Sequence, residues 1–96
     1  MPILSATELS HALTNLPGWT VSGQNLEQSF EFADFVGAMR FVNSIAEAAE
    51  RAGHHPDIDI RYNKVRLSLS SHDSGGITER DTALAAEIAK IHTLVS

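Results

Sequence analysis

Leu9, Ala12, Leu13 and Leu16 recur at the three- and four-residue spacing of one helix face. Ser5-Ala6-Thr7-Glu8 stands just ahead of them and fits a capping box, in which the Ser hydroxyl and the Glu carboxylate each satisfy a free amide at the helix start. Pro17-Gly18 ends this first short helix. The period then changes to two. Trp19-Thr20-Val21 and the run from Leu26 to Phe32 read as strands, joined by a turn at Ser22-Gly23-Gln24-Asn25. Leu26, Phe30 and Phe32 fall on one parity and Glu27 and Glu31 on the other, which predicts a sheet with one buried and one wet face.

A long helix follows. Asp34 is its expected cap, and Phe35, Ala38, Met39, Val42, Ile45, Ala49 and Ala52 form its apolar stripe. Gly53 stands where a left-handed residue closes a helix, so the chain passes directly into His54-His55-Pro56. Ile58, Ile60 and Tyr62 then alternate with polar residues, as do Val65, Leu67 and Leu69, with a tight turn expected at Asn63-Lys64. Ser74-Gly75-Gly76 links this hairpin to a last helix, which opens at a second capping-box-like Thr78-Glu79-Arg80-Asp81 and turns Leu84, Ile88, Ile91 and Val95 inward. The predicted order is α-β-β-α-β-β-α, a single α+β domain over residues 1–96. Its four antiparallel strands form two hairpins, with three helices covering one face.

Composition narrows the function. The net charge is −5, and the seven basic residues are scattered, so binding to a phosphate backbone is not expected. There is no cysteine, hence no disulfide framework and no thiolate zinc site. No apolar run reaches the roughly 18–20 residues of a membrane span. MPILSATELS lacks the basic-then-apolar pattern of a signal peptide, so a cytosolic location is the expectation.

The chemistry concentrates around Gly53-His54-His55-Pro56. If Tyr62 pairs with Val65, then Ile60 faces Leu67 and Ile58 faces Leu69, and the register extended outward sets His55 opposite His72. Directly opposed residues have Cβ atoms about 5 Å apart. Pro56 biases His55 toward extended backbone, and the helix exit at Gly53 is expected to turn His54 toward the same place. Three imidazoles without an obvious carboxylate partner have three readings. One is acid/base catalysis, since histidine gives and takes protons near neutral pH and neighbouring rings resist charging together. A second is a three-His metal site, although adjacent histidines chelate one ion poorly. The third is turn histidines without a function. Glu50, in the last helical turn, reads as a solvated residue or a weak functional hint. Asp81 reads as a cap, Trp19 as core or as a half-exposed aromatic face for a flat ligand, and His11 and His92 as surface residues.

Glu50-x-x-x-His54-His55-Pro56, Tyr62-Asn63-Lys64-Val65, Leu69-Ser70-Ser71-His72 and Gly76-Ile77-Thr78-Glu79-Arg80-Asp81 together resemble the signature of the pterin-4a-carbinolamine dehydratases. The resemblance implies loss of water from a 4a-hydroxytetrahydropterin to give the quinonoid dihydropterin, which recycles the cofactor of aromatic amino acid hydroxylases without metal or other cofactor. It makes His54, His55 and His72 the catalytic group, with His55 the acid at the 4a-hydroxyl and His54 or His72 the base. Pro56, Ser71, Asp73 and Ser74 would contact the pterin, and Trp19, Glu50 and Asp81 would line or support the site. Many members carry an acidic residue where this chain has Gly53. The resemblance also implies homodimers or homotetramers formed by joining sheets. It leaves a second possibility, a non-enzymatic module that binds a protein partner through the same fold.

Overall fold

The computed structural model describes residues 2–95. Seven elements follow in order: α1 (Ala6–Leu13), β1 (Thr20–Ser22), β2 (Asn25–Glu31), α2 (Phe35–Ala52), β3 (Asp57–Arg61), β4 (Lys64–Leu69) and α3 (Glu79–Val95). The α-β-β-α-β-β-α order read from the sequence is the observed one. One antiparallel sheet holds the strands in the order β1-β2-β4-β3, so the two hairpins meet at the central β2–β4 pair and β1 and β3 are the edges.

The capping box of α1 is complete. Ser5 N–H donates to Glu8 Oε1 at 2.8 Å, and Glu8 N–H donates to Ser5 Oγ at 3.1 Å. The Ser5 backbone and side-chain bonds hold the Glu8 carboxyl below the ordinary Glu value. Leu4, Leu9 and Leu13 are half-buried against the core. Gly18 then turns the chain with φ 87°, at a point where a Cβ would sit 2.4 Å from the Gln28 side-chain nitrogen, so no larger residue fits without displacing Gln28.

Leu26, Phe30, Val65, Leu67 and Leu69 face the helices, as their parity requires, and meet Ala38, Phe41, Ile45 and Ala48 from α2 and Leu84, Ala85 and Ile88 from α3. The buried stripe of α2 is rotated from the expected one. Phe41 and Ala48 are buried while Phe35 and Ala52 are exposed, because the helix packs on both the sheet and α3. Phe30, Phe32 and Phe41 form an aromatic cluster, and His92 packs on all three at 4.8–5.8 Å between ring centres. His92 is therefore half-buried rather than the surface residue its helix position suggested. The other sheet face carries Glu27, Ser29, Glu31, Asp57, Asp59, Lys64, Arg66 and Ser68 and is polar throughout. No helix among the described residues is long and apolar enough to cross a membrane.

The β3–β4 hairpin departs from the expected register by two residues. Ile58 faces Leu67 and Ile60 faces Val65, and the turn is Tyr62-Asn63. Asn63 explains the choice. Its Nδ2 donates to the Phe32 carbonyl at 2.8 Å, and its own carbonyl accepts from Phe32 N–H at 2.8 Å, so the end of β2 clamps this residue in the turn. Tyr62 takes the left-handed φ of 55° and stands exposed instead of pairing with Val65. A slip of two preserves parity, so the faces are unchanged. Extended outward, however, the observed register sets His55 across from Ser70 and not His72.

Candidate active site

The last turn of α2 ends in a Schellman motif. His54 N–H donates to the Ala49 carbonyl at 3.1 Å and Gly53 N–H to the Glu50 carbonyl at 3.3 Å, with Gly53 at φ 64°. That reversal folds His54 back under the helix, where it is buried, and sends His55 outward. The two adjacent rings therefore meet different environments.

His54 Nε2 lies 2.5 Å from Asp81 Oδ1 in a buried pair. Asp81 is the N3 residue of α3. Its Oδ2 accepts from Thr78 N–H and from Ser71 Oγ–H, both at 2.9 Å. An ionised carboxylate accepts at both oxygens, so Nε2, which faces Oδ1, is the ring nitrogen that carries the proton. Nδ1 makes no hydrogen bond among the described residues. His55 Nε2 lies 2.5 Å from Glu50 Oε2, a pair whose side chains are 63% and 76% exposed. The sequence around the histidines shows no carboxylate for either ring, and the structure supplies one for each. Glu50 reaches His55 across the Schellman turn. Asp81 reaches His54 from an element 27 positions away.

His72 arrives on the loop after β4. Ser71 N–H donates to Gly76 O, while the Ser71 carbonyl accepts from the N–H groups of Ser74, Gly75 and Gly76. This tight loop is tied to the N-terminal segment through Leu4 N–H to Ile77 O at 2.9 Å and to α3 through an Asp73–Arg80 ion pair at 3.6 Å. Gly53, His54, His55, Ser70, His72 and Asp73 line one open cavity of about 250 Å³. Among the described residues, no three His, Asp or Glu side chains are grouped as metal ligands.

The family model described as "Pterin 4 alpha carbinolamine dehydratase" matches residues 2–91. The chain belongs to the pterin-4a-carbinolamine dehydratase family. Proteins from Acidobacterium capsulatum and Koribacter versatilis, both named "Putative pterin-4-alpha-carbinolamine dehydratase", are 56% and 53% identical to it. The matches cover 92% and 93% of this chain and 96% and 95% of those proteins. A crystal structure of a transcriptional coactivator/pterin dehydratase from Brucella melitensis superposes with a TM-score of 0.88 at 36% identity, covering 93% of this chain and 97% of that one.

Within this dehydratase fold the residues singled out from the sequence divide into three groups. His54, His55, His72 and Asp73 line the cavity. Glu50 and Asp81 stand behind the histidines, and Pro56 is half-buried at the start of β3. Ser71 is buried with its hydroxyl turned to Asp81 and Thr78, while Ser74 is half-buried in the loop; neither lines the cavity. Trp19 is 5% exposed and belongs to the core, the first of its two readings, and offers no half-exposed face to a flat ligand. It shares the helix-side parity of Val21 and packs edge-on against Phe30 at 6.2 Å. Its Nε1 has no partner among the described residues. Two contributors were not foreseen as such. Ser70 lines the cavity, and only the correct register reveals it opposite His55. Thr78, whose spacing predicts only a cap, also hydrogen-bonds Ser71 behind Asp81.

Proposed function

We propose that this chain dehydrates a 4a-hydroxytetrahydropterin to the quinonoid dihydropterin, returning the pterin to a form that can be reduced for aromatic amino acid hydroxylation. The observation that carries the reading is a cavity lined by three histidines, two of which have their own carboxylate. His54 is the base. Its Nε2 proton is committed to Asp81, so Nδ1 offers a lone pair for the N5 proton of the pterin, and Asp81 stabilises the imidazolium that forms. His55 is the acid. It donates a proton to the 4a-hydroxyl as the C4a–O bond breaks, while the electrons of the N5–H bond form the C4a=N5 double bond and water leaves. The exposed Glu50 partner holds the ring at the water-facing side of the site, where it exchanges protons with solvent. His72 and Asp73 bind the pterin from the cavity wall, and Pro56, Ser71 and Ser74 support the segments that carry the wall residues. The buried ring serves the step that demands alignment, and the exposed ring serves the step that exchanges protons with water.

Edge strands β1 and β3 and the polar sheet face suit a homodimer made by joining sheets, which sedimentation of the purified chain tests. The decisive experiment for the activity uses a synthetic 4a-hydroxytetrahydropterin. Purified protein accelerates its dehydration, and His55→Ala abolishes the acceleration. No rate above buffer for the wild type removes the enzymatic reading and leaves the protein-binding module.

A further inference from the structure

Thr78 caps α3, accepting from Arg80 N–H at 3.2 Å, yet capping does not account for the other side of its hydroxyl. Thr78 Oγ1 lies 2.7 Å from Ser71 Oγ, and both residues are buried. Ser71 has one hydroxyl proton, and it points to Asp81 Oδ2. The proton between the two hydroxyls must then come from Thr78. The direction of every bond follows: Thr78 Oγ1–H to Ser71 Oγ, Ser71 Oγ–H to Asp81 Oδ2, and His54 Nε2–H to Asp81 Oδ1. Hydrogen bonds chained in one direction polarise one another, and in a site closed to water no solvent molecule substitutes for a missing link.

We propose that Thr78 is a positioning residue for His54. Its hydroxyl, acting through Ser71, fixes Asp81 as an acceptor and so holds the His54 ring with Nε2 protonated and Nδ1 bare. Ser71 is the middle of this relay. The kinetic part of the proposal rests on the dehydratase reading, whereas the tautomer part does not.

The test combines nitrogen NMR of the histidine rings with steady-state kinetics. Wild-type protein above the titration range of His54 shows that ring protonated at Nε2 alone. Thr78→Val mixes the tautomers and lowers kcat about threefold to tenfold with KM nearly unchanged, since a polarising bond is lost but no substrate contact is. Ser71→Ala removes a bond to a charged group and lowers kcat further, by about ten- to a hundredfold. Thr78→Ser restores both the spectrum and the rate. An Nδ1-protonated His54 in the wild type overturns the proposal, as does a folded Thr78→Val or Ser71→Ala protein with the wild-type tautomer and kcat. So does a Thr78→Ser protein that fails to rescue. If circular dichroism shows Thr78→Val unfolded, the wild-type spectrum and Ser71→Ala decide. If the wild type does not dehydrate the pterin, the proposed function falls, and the spectra alone still decide the relay.

Discussion

His54 Nε2 lies 2.5 Å from Asp81 Oδ1, between side chains 27 positions apart and both withdrawn from water. The isosteric change Asp81→Asn is the sharpest probe of this pair. Thr78 N–H and Ser71 Oγ–H demand an acceptor at the position of Oδ2, so the amide oxygen stays there. The amide NH2 then faces His54 Nε2, which becomes an acceptor, and the ring proton moves to Nδ1. A base with its proton on the reacting nitrogen is no base. We expect kcat to fall by a factor on the order of 10²–10⁴, the usual contribution of a general base, with KM changed little. Steady-state kinetics check this, and a loss under about threefold would move the base role to His72.

His55 and Glu50 have the same 2.5 Å separation but stand in water. Exposed pairs contribute only about 0–1 kcal/mol and are screened by salt. Glu50→Gln is therefore expected to leave the denaturation midpoint almost unchanged and to lower kcat severalfold. The wild-type rate should drift toward that of the variant as salt is raised. A loss as deep as that of Asp81→Asn would show that Glu50 does more than hold an exposed acid.

What was legible in the sequence was periodic. The alternation of Ile58 and Ile60 with Asp57 and Asp59 fixed the faces of the sheet, and the Ser5-x-x-Glu8 spacing fixed the first helix start. The hairpin register was not legible, because a slip of two leaves every parity intact. The clamp that chooses between the registers is the Asn63–Phe32 contact, which links residues 31 positions apart. The His54–Asp81 pair was hidden for a similar reason. A capping-box Asp looks fully used by its own helix, and only packing shows its second oxygen aimed at the end of α2. Glu50 was closer to hand. A Schellman turn after Gly53 brings the residue five positions before His55 alongside it.

The turn at Tyr62 predicts a stabilising change. A non-glycine residue with φ 55° is strained, by about 1–2 kcal/mol for an ordinary side chain, and Asn tolerates this conformation better than Tyr. Tyr62 is 66% exposed, so replacing it removes little packing. Tyr62→Asn should raise the unfolding free energy by about 0.5–1 kcal/mol, measured by urea denaturation with an unchanged slope. Asn63→Ala should act in the opposite direction by about 1 kcal/mol, through loss of the bond to the Phe32 carbonyl.

The start of α1 predicts a local pH response. The Glu8 carboxyl is held below its ordinary value by Ser5, so its contribution is present above the unfolded Glu value and is lost as pH falls through the lower, folded value. The group is fully exposed, and the effect is confined to the helix end. The Ser5 amide resonance should therefore titrate with a midpoint below that of an ordinary Glu, and Glu8→Gln should abolish that titration. A midpoint at the ordinary Glu value would mean the capping box is open in solution.

Gly53 lines the cavity between α2 and the two histidines, at a place where a Cβ would meet nothing within 4 Å. Its left-handed φ of 64° is one that Asp adopts more readily than most residues, so Gly53→Asp should fold with a loss of about 1 kcal/mol. The resemblance to the dehydratases implies an acidic residue at this position in many members. A carboxylate placed there favours the protonated forms of the neighbouring rings. The acid and base must then be sorted at a higher pH, and the acidic limb of the kcat/KM profile should move upward. Gly53→Asn separates charge from backbone, since it carries the same strain without the carboxylate. The pH profiles of the three proteins check the argument. A limb shifted in Gly53→Asp alone assigns the effect to charge, and an equal shift in both variants assigns it to the path of the chain through His54 and His55.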